Sequence, residues 1–154
     1  MILDGAVSWL GSQGLDQWAG APWRADELRP GLATGALRVA ETAGPAPVPV
    51  PVATMTLGEE AASFWRPADE PAAALYVSHL AVDRAAAGHG VGAWLLDEAA
   101  EEAARRGKRW LRLDAWKSNA RLHAYYRRSG FRLVRIADGA GGSGALFERA
   151  VSLR

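Results

Sequence analysis

The chain has 154 residues, 49% of them hydrophobic, and its 18 lysines and arginines nearly balance 17 aspartates and glutamates. This length predicts one domain over residues 1–154 with an ample core, and the net charge of +1 gives no indication of nucleic-acid binding. The sequence contains no cysteine, which excludes structural disulfides, thiolate metal sites and acyl-cysteine intermediates.

Membrane, export and metal-binding signals are also missing from the sequence. No apolar stretch is long enough to span a bilayer, and the N-terminus lacks a basic segment followed by a long apolar one. The three histidines, His79, His89 and His123, do not have the spacing of metal ligands. We therefore expect a cytoplasmic protein that contacts neither membrane nor nucleic acid and holds no metal.

The first third of the chain predicts two helices and two strands. Residues 2–13 carry apolar side chains at helical spacing, and a second, short helix is expected near Ala25–Leu28. Residues Gly35–Glu41 alternate like a strand, and a further strand is expected at Val52–Leu57. Between the two strands, residues 44–51 have prolines at alternate positions, which removes ladder donors and predicts an extended loop, although a proline-rich recognition ligand has a similar composition.

The centre of the chain has the pattern of a strand, a glycine loop and an amphipathic helix. Residues Leu75–Val82 predict a largely buried strand, and glycines follow at positions 88, 90 and 92. The helix after them has acidic residues early and basic residues late, with pairs at i,i+4 from Glu101 to Arg105 and from Glu102 to Arg106, and Gly107 predicts its end. Unpaired amides at the start of such a helix could bind a pyrophosphate, whereas an isolated glycine loop could equally be only a tight turn.

The second half predicts a strand, a helix and a terminal pair of strands. Residues Trp110–Trp116 alternate like a strand, and Ser118 or Asn119 is expected to cap a helix that ends before Gly130. Asn119 and Tyr126 share one face of that helix because two helical turns separate them, whereas Tyr125 is turned away.

The tail contains a second glycine-rich segment, residues 139–144, which matches the pattern G-x-G-x-x-G. The residues after it alternate like a strand over Ala145–Val151, and a dinucleotide fingerprint would need a helix and another strand there. We therefore expect a hairpin loop between the last two strands.

The segment Leu80–Phe131 resembles the core of the GNAT superfamily of acetyl-CoA-dependent N-acetyltransferases. The first motif comprises Val82 and the glycines 88, 90 and 92, and the second comprises Asn119 followed by Tyr126-Arg-Arg-Ser-Gly-Phe131. One departure is Ala87, which stands where the family usually has arginine or glutamine.

The resemblance implies an α/β (α+β) fold: a GNAT-like mixed, mostly antiparallel twisted sheet with helices on both faces. The family's usual first strand has no counterpart and would lie upstream of Met1. The strand at Gly35–Glu41 is then expected at an edge of the sheet, where a homodimer or a covering N-terminal segment would protect it.

The resemblance also implies direct transfer of an acetyl group from acetyl-CoA to an amine of a small molecule or a protein. The strand at Leu80–Val82 would part from the strand at Leu111–Trp116 to admit the pantetheine arm, and the Leu80 amide would face the acetyl carbonyl. The residues expected to bind acetyl-CoA are Leu80, Ala81, Val82, Ala87, Gly88, His89, Gly90, Val91, Gly92, Ala93, Asn119 and Tyr126. An alternative is a non-catalytic acyl-CoA sensor or partner module on the same fold.

Tyr126 is expected to protonate the departing CoA thiolate, since a phenol of pKa about 10 keeps its proton at neutral pH. The other interpretation of Tyr126 is aromatic packing, and that of Asn119, expected to hydrogen-bond the cofactor arm, is a helix cap. His79 could relay a proton or be a satisfied core histidine. Trp18 and Trp23 could line the acceptor pocket or pack in the core.

Overall fold

The computed structural model describes residues 2–19, 23–45, 47–139 and 141–152. Residues 20–22 beside Trp23, residue 46 in the proline-rich stretch and residue 140 in the terminal glycine-rich segment lie outside the described residues. The helices and strands, in chain order, are α1 Ile2–Ser12, α2 Ala25–Thr34, β1 Leu37–Glu41, β2 Pro51–Gly58, β3 Ala74–Val82, α3 Val91–Arg105, β4 Trp110–Trp116, α4 Ala120–Arg128, β5 Arg132–Ile136 and β6 Ser143–Ala150.

This order confirms the predicted sequence of elements, with one correction in α2. The sequence predicted a short helix that stops near Leu28, whereas α2 continues through Pro30 to Thr34. Its end is set by Gly35, which adopts a left-handed conformation at φ 72° and donates its amide to the carbonyl of Leu32. The cap therefore determines the length of the helix, and the proline is accommodated inside it.

The strands form one six-stranded sheet in the order β1-β2-β3-β4-β6-β5. Strands β1 and β2, β4 and β6, and β5 and β6 pair antiparallel, whereas β3 and β4 pair in parallel. The parallel register covers three residue pairs, from Ala74 with Trp110 to Tyr76 with Arg112. The sheet is thus mixed and mostly antiparallel. Strand β1 lies at its edge as predicted, and no strand precedes it within the described residues.

The chain divides into two compact units, and both β3 and α3 contribute residues to each of them. The first unit comprises Met1–Leu57 and His79–Leu95, and its buried side chains include Leu3, Leu10 and Met55. In this unit the guanidinium of Arg84 lies 4.0 Å from the ring centre of Trp9, a cation–π contact.

The second unit comprises Gly58–Ser78 and Leu96–Arg154, and its fully buried side chains include Leu111, Leu146 and Phe147. Arg112 and Glu148 form a buried ion pair at 3.0 Å, and Arg112 also lies 4.5 Å from the ring centre of Trp65. Glu148 also accepts from Arg132, so its carboxylate lies between two guanidinium groups. These contacts let a charged pair occupy the core of the sheet.

The basic residues that follow α3 are paired with acidic ones. Arg105 contacts Glu101 at 3.8 Å, and Arg106 contacts Glu102 at 2.7 Å, which confirms both predicted i,i+4 pairs. Lys108 lies 3.5 Å from Glu59. Gly107 adopts φ 68° after the helix, as expected for its end.

Strands β5 and β6 form an antiparallel hairpin, which confirms the prediction for the tail. In its loop, the carbonyl of Gly142 accepts from the Lys117 amide at 2.6 Å, and the carbonyl of Gly144 accepts from Ala137 at 2.7 Å. The described part of the chain contains no helix long and apolar enough to cross a membrane, and its histidine and carboxylate side chains form no cluster that could hold a metal.

Candidate functional site

The glycine loop of the first unit is prepared by a tight turn after β3. The carboxylate of Asp83 accepts from the amide of Ala85 at 2.9 Å, and the amides of Ala86 and Ala87 bond back to the carbonyls of Asp83 and Arg84. Gly88 and Gly90 then adopt left-handed conformations at φ 81° and 78°, after which α3 begins. Only glycine takes this conformation without strain, so the local structure explains why glycines occur here.

The backbone amides from Gly88 through Ala93 have no hydrogen-bond acceptor within the part of the chain that the structure describes. The first hydrogen bond of α3 runs from the Trp94 amide to the Gly90 carbonyl at 2.9 Å. Consecutive free amides at the start of a 15-residue helix carry the positive end of its dipole. Such an arrangement suits an anion, and phosphate groups are the anions that helix N-termini commonly bind.

The loop also has room for a ligand. A Cβ atom built on Gly88 or Gly90 would meet no other atom within 4 Å, so neither glycine is required by packing. The ring of His89 is held back, because its Nδ1 lies 3.2 and 3.1 Å from the carbonyl oxygens of Ala86 and Ala87. Carbonyls only accept, so Nδ1 carries the proton in these contacts. The surroundings of the free amides therefore fit a pyrophosphate.

His79, at the start of the segment Leu80–Val82, has an unusual backbone for a strand. Its φ is 51°, in the left-handed region, and its carbonyl accepts from the Thr54 hydroxyl at 3.1 Å. Its Nδ1 lies 3.1 Å from the hydroxyl oxygen of Thr56. Burial lowers the pKa of His79, and the nearby charge of Glu27 raises it by a smaller amount. The imidazole is thus held neutral at pH 7, in a strained backbone of the kind found at functional sites.

Two tryptophans and His79 form an aromatic cluster in the first unit. The rings of Trp23 and His79 meet edge to face at 4.7 Å between centres, and those of Trp18 and Trp23 at 5.7 Å. The indole nitrogen of Trp23 is buried, and no atom of the described residues accepts its proton. The structure therefore brings His79 together with the two tryptophans that the sequence offered as candidates for the wall of the acceptor pocket.

Asn119 of the second unit is buried and caps α4. Its side-chain oxygen accepts from the backbone amide of Leu122 at 3.1 Å, and its backbone amide donates to the carbonyl of Trp116. The structure thus confirms the cap interpretation, which is compatible with a second role for the amide group. Of the two predicted capping residues, Asn119 and not Ser118 takes the position.

The ring of Tyr126 packs in the core of the second unit, with edge contacts to Tyr125 and Phe131 and a tilted contact to Phe147, at 5.6 to 5.8 Å between ring centres. The side chain is 7% exposed, and burial raises its pKa above the ordinary tyrosine value. Its hydroxyl makes no hydrogen bond to the residues that the structure describes. Tyr126 therefore serves packing through its ring and retains a protonated, unpaired hydroxyl.

Sequence reasoning missed Thr54, Thr56 and Trp94. The two threonines lie at alternate positions of β2, so they share one face of the strand and hold the backbone and ring of His79. Trp94 is 52% exposed on the first turn of α3. The alternation of the threonines was visible in the sequence, but their partner was not, because it lies on another strand.

The family model of the acetyltransferase (GNAT) family matches residues 50–131. The match covers more than half of the chain and includes both the glycine loop and the helix that carries Tyr126. The chain belongs to the GNAT acetyltransferase family.

Solved structures support this fold. A GNAT acetyltransferase from Listeria monocytogenes has a TM-score of 0.72 at 20% identity, with 97% of this chain and 85% of that chain covered. A ribosomal-protein-alanine N-acetyltransferase from Brucella melitensis has a TM-score of 0.57 at 24% identity, covering 82% of this chain and 75% of that one.

A third solved structure, of the NatC complex bound to Gag peptide and CoA, has a TM-score of 0.64 at 15% identity, covering 98% and 91% of the two chains. Because these identities are low, the three structures support the fold alone, which is a mixed GNAT-type sheet with its helices. No curated protein matches the chain.

Proposed function

We propose that this GNAT family protein is a cytoplasmic N-acetyltransferase that transfers the acetyl group of acetyl-CoA directly to an amine. The single observation that carries the proposal is the run of free amides from Gly88 through Ala93, on the motif that the family uses for its acyl donor. The absence of cysteine from the sequence leaves a direct transfer or a hydroxyl as the route.

The amides from Gly88 through Ala93 would hold the donor's pyrophosphate, whereas the amide of Ala87 already bonds to the Arg84 carbonyl and its side chain adds no charge. Leu80, Ala81 and Val82 provide the main-chain groups of β3 for the pantetheine arm. Acetyl-CoA, when bound, supplies an acetyl thioester. The amide of Leu80 donates to its carbonyl oxygen and stabilises negative charge there, as oxyanion donors do.

Two side chains handle protons in this proposal. His79 is neutral because burial lowers its pKa, so it can accept a proton from the attacking amine directly or through water. Tyr126 keeps its proton because burial raises its pKa, and its unpaired hydroxyl donates to the leaving thiolate. Asn119, which caps α4, would orient the arm through its side-chain amide.

The acceptor amine lies against the aromatic cluster of Trp18, Trp23 and His79. An aromatic wall of this kind could contact the amine of a small molecule or of a protein. Proteins named for either kind of substrate share the fold. The position of β1 at an edge of the sheet suits a homodimer, which light scattering after gel filtration would detect.

The test is turnover with a panel of amines, monitored by release of CoA thiol, together with calorimetry of acetyl-CoA binding. The panel should contain small polyamines, amino acids, aminoglycosides and peptides with free α-amines. Thiol release that depends on one class of amine supports the proposal. Binding of acetyl-CoA without release for any amine would support the alternative, a non-catalytic acyl-CoA sensor, which Ala87 favours because it removes a side chain that the family usually has.

Tyr126→Phe tests the acid. The substitution keeps the ring that packs against Phe131 and Phe147 and removes only the hydroxyl. We expect kcat to fall by about 10²- to 10⁴-fold with little change in acetyl-CoA affinity, the usual contribution of general acid catalysis. Tyr125→Phe is the matched control and should leave kcat unchanged; equal activity of both variants would show that water donates the proton.

A further inference from the structure

Trp94 is the large aromatic residue of α3 that the core does not use. It is 52% exposed, whereas Leu95, Leu96 and Ala99 of the same helix are buried. Its indole makes no ring, cation or hydrogen-bond contact within the described residues. An exposed tryptophan with no structural partner is uncommon, because burial of its large apolar surface is favourable.

The position of Trp94 relates it to the glycine loop. Its amide donates the first hydrogen bond of α3 to the carbonyl of Gly90 at 2.9 Å, so the two residues are one helical turn apart. Side chains on a helix lean toward its N-terminus and cover the preceding turn. The Cα–Cβ bond of Trp94 therefore leans toward the turn that carries the free amides of Gly88 through Ala93.

We propose that Trp94 stacks on the adenine of the acyl donor and thereby makes the enzyme selective for the nucleotide half of acetyl-CoA. This inference rests on the proposed function, since it places the donor's pyrophosphate on the loop amides. The base is joined to that pyrophosphate through one ribose, and an indole on the first turn of α3 is within its reach. The ribose also carries a 3'-phosphate, whereas the base is flat and uncharged, so the base is the part of the donor on which an indole can stack.

Stacking on Trp94 would also offset the loss of contacts at Ala87. The family usually has a long polar side chain at that position, and this chain has a methyl group. Stacking on an aromatic ring depends on the flat face of the base and not on the charge of the phosphates. The donor would then gain at its base part of the affinity that it loses at its pyrophosphate.

The experiment measures binding of two donors by calorimetry, with no acceptor amine present. Acetyl-CoA contains adenosine 3',5'-bisphosphate, and S-acetyl-4'-phosphopantetheine lacks that whole part, including one phosphate of the pyrophosphate. We expect Trp94→Ala to weaken acetyl-CoA binding by about 5- to 100-fold and to change the affinity for S-acetyl-4'-phosphopantetheine by less than about twofold. Trp94→Phe keeps an aromatic face and should retain most of the acetyl-CoA affinity.

Glu98→Ala is the matched control on the exposed surface of α3, and circular dichroism should show that all variants fold. The inference is overturned if Trp94→Ala leaves acetyl-CoA affinity unchanged, or if it weakens both donors equally, which would indicate a distorted loop. A wild-type protein that binds neither donor would overturn the proposed function and this inference together. A wild-type protein that binds acetyl-CoA while Trp94→Ala has no effect would overturn the inference alone.

Discussion

Two glycine-rich loops in this chain look alike in sequence and have opposite structures. In the loop at residues 88–92, built Cβ atoms on Gly88 and Gly90 meet nothing within 4 Å, and the amides are free in the described residues. In the loop at residues 139–144, a Cβ on Gly142 would lie 2.0 Å from the ring of Trp116. The carbonyls of Gly142 and Gly144 are also paired with amides of the chain.

The difference shows that glycines serve two physical purposes in this protein. The first loop precedes a helix, so its glycines keep free amides accessible to a ligand. The second loop joins two antiparallel strands, so its glycines let an aromatic ring and the backbone come close together. A motif of glycines therefore indicates a binding site only when the next element leaves its amides unpaired.

The largest expected effect is on ligand binding at the first loop. Gly90→Val places a branched side chain at φ 78° over the free amides, and acetyl-CoA affinity should fall about 100-fold or more, the free energy of one or two charge-assisted hydrogen bonds. Gly141→Val, at φ 104° in the second loop, should be strained without losing affinity. Calorimetry with equal affinities for Gly90→Val and wild type would remove the loop from the donor site.

A smaller effect is expected on stability at the second loop. Gly142→Ala would force Trp116 to move and should lower the free energy of unfolding by about 1 to 3 kcal/mol, as overpacking does. Gly58→Ala, where nothing lies within 4 Å, is the matched control and should change stability far less. Urea unfolding measures both, and a neutral Gly142→Ala would contradict the packing role.

The first loop leaves its amides unpaired, whereas the second unit pairs a carboxylate with an arginine. The pH dependence of stability tests this pairing. Asp69 bonds to Arg135 at 2.6 Å, and this contact holds its pKa at about 2. Because that value is below the unfolded one of about 4, the stabilisation is complete above pH 4 and is lost as the pH falls toward 2. Asp69→Asn should lower the free energy of unfolding by about 1 to 3 kcal/mol at pH 7.

The urea midpoint of Asp69→Asn should approach that of wild type near pH 2, where about half of the wild-type Asp69 carboxyls are protonated. Asp26→Asn, on the exposed surface of α2, is the control and should change little at any pH. A difference between Asp69→Asn and wild type that stays constant from pH 7 to pH 2 would show that charge is not the origin of the effect.

The smallest effect concerns a glycine that serves neither purpose. Gly5 lies inside α1, and a Cβ there would meet nothing within 4 Å. Gly5→Ala should therefore stabilise the protein by up to about 1 kcal/mol, which corresponds to roughly 2 to 4 °C in Tm for a chain of this size. Differential scanning calorimetry measures the shift, and a decrease in Tm would reveal a use of Gly5 that the structure does not show.

The sequence by itself determined the elements and their order, because they follow from local chemistry. Apolar spacing places α1 and α3, alternation places β4, and Asn119 caps α4 through an amide three residues away. The chemistry of the glycine loop and the resemblance to the family were visible for the same reason. The end of α2 was not, because the helix continues through Pro30 to the cap at Gly35, well past the predicted stop near Leu28.

Tertiary structure alone decided which groups meet and which remain free. The left-handed backbone of His79 depends on Thr54 and Thr56 from β2, and its contact with Trp23 joins residues far apart in the chain. The burial of the Tyr126 ring against Phe147 arises in the same way. Such contacts depend on the pairing of strands across long sequence separations, whereas periodicity and capping report only on neighbours within a few turns.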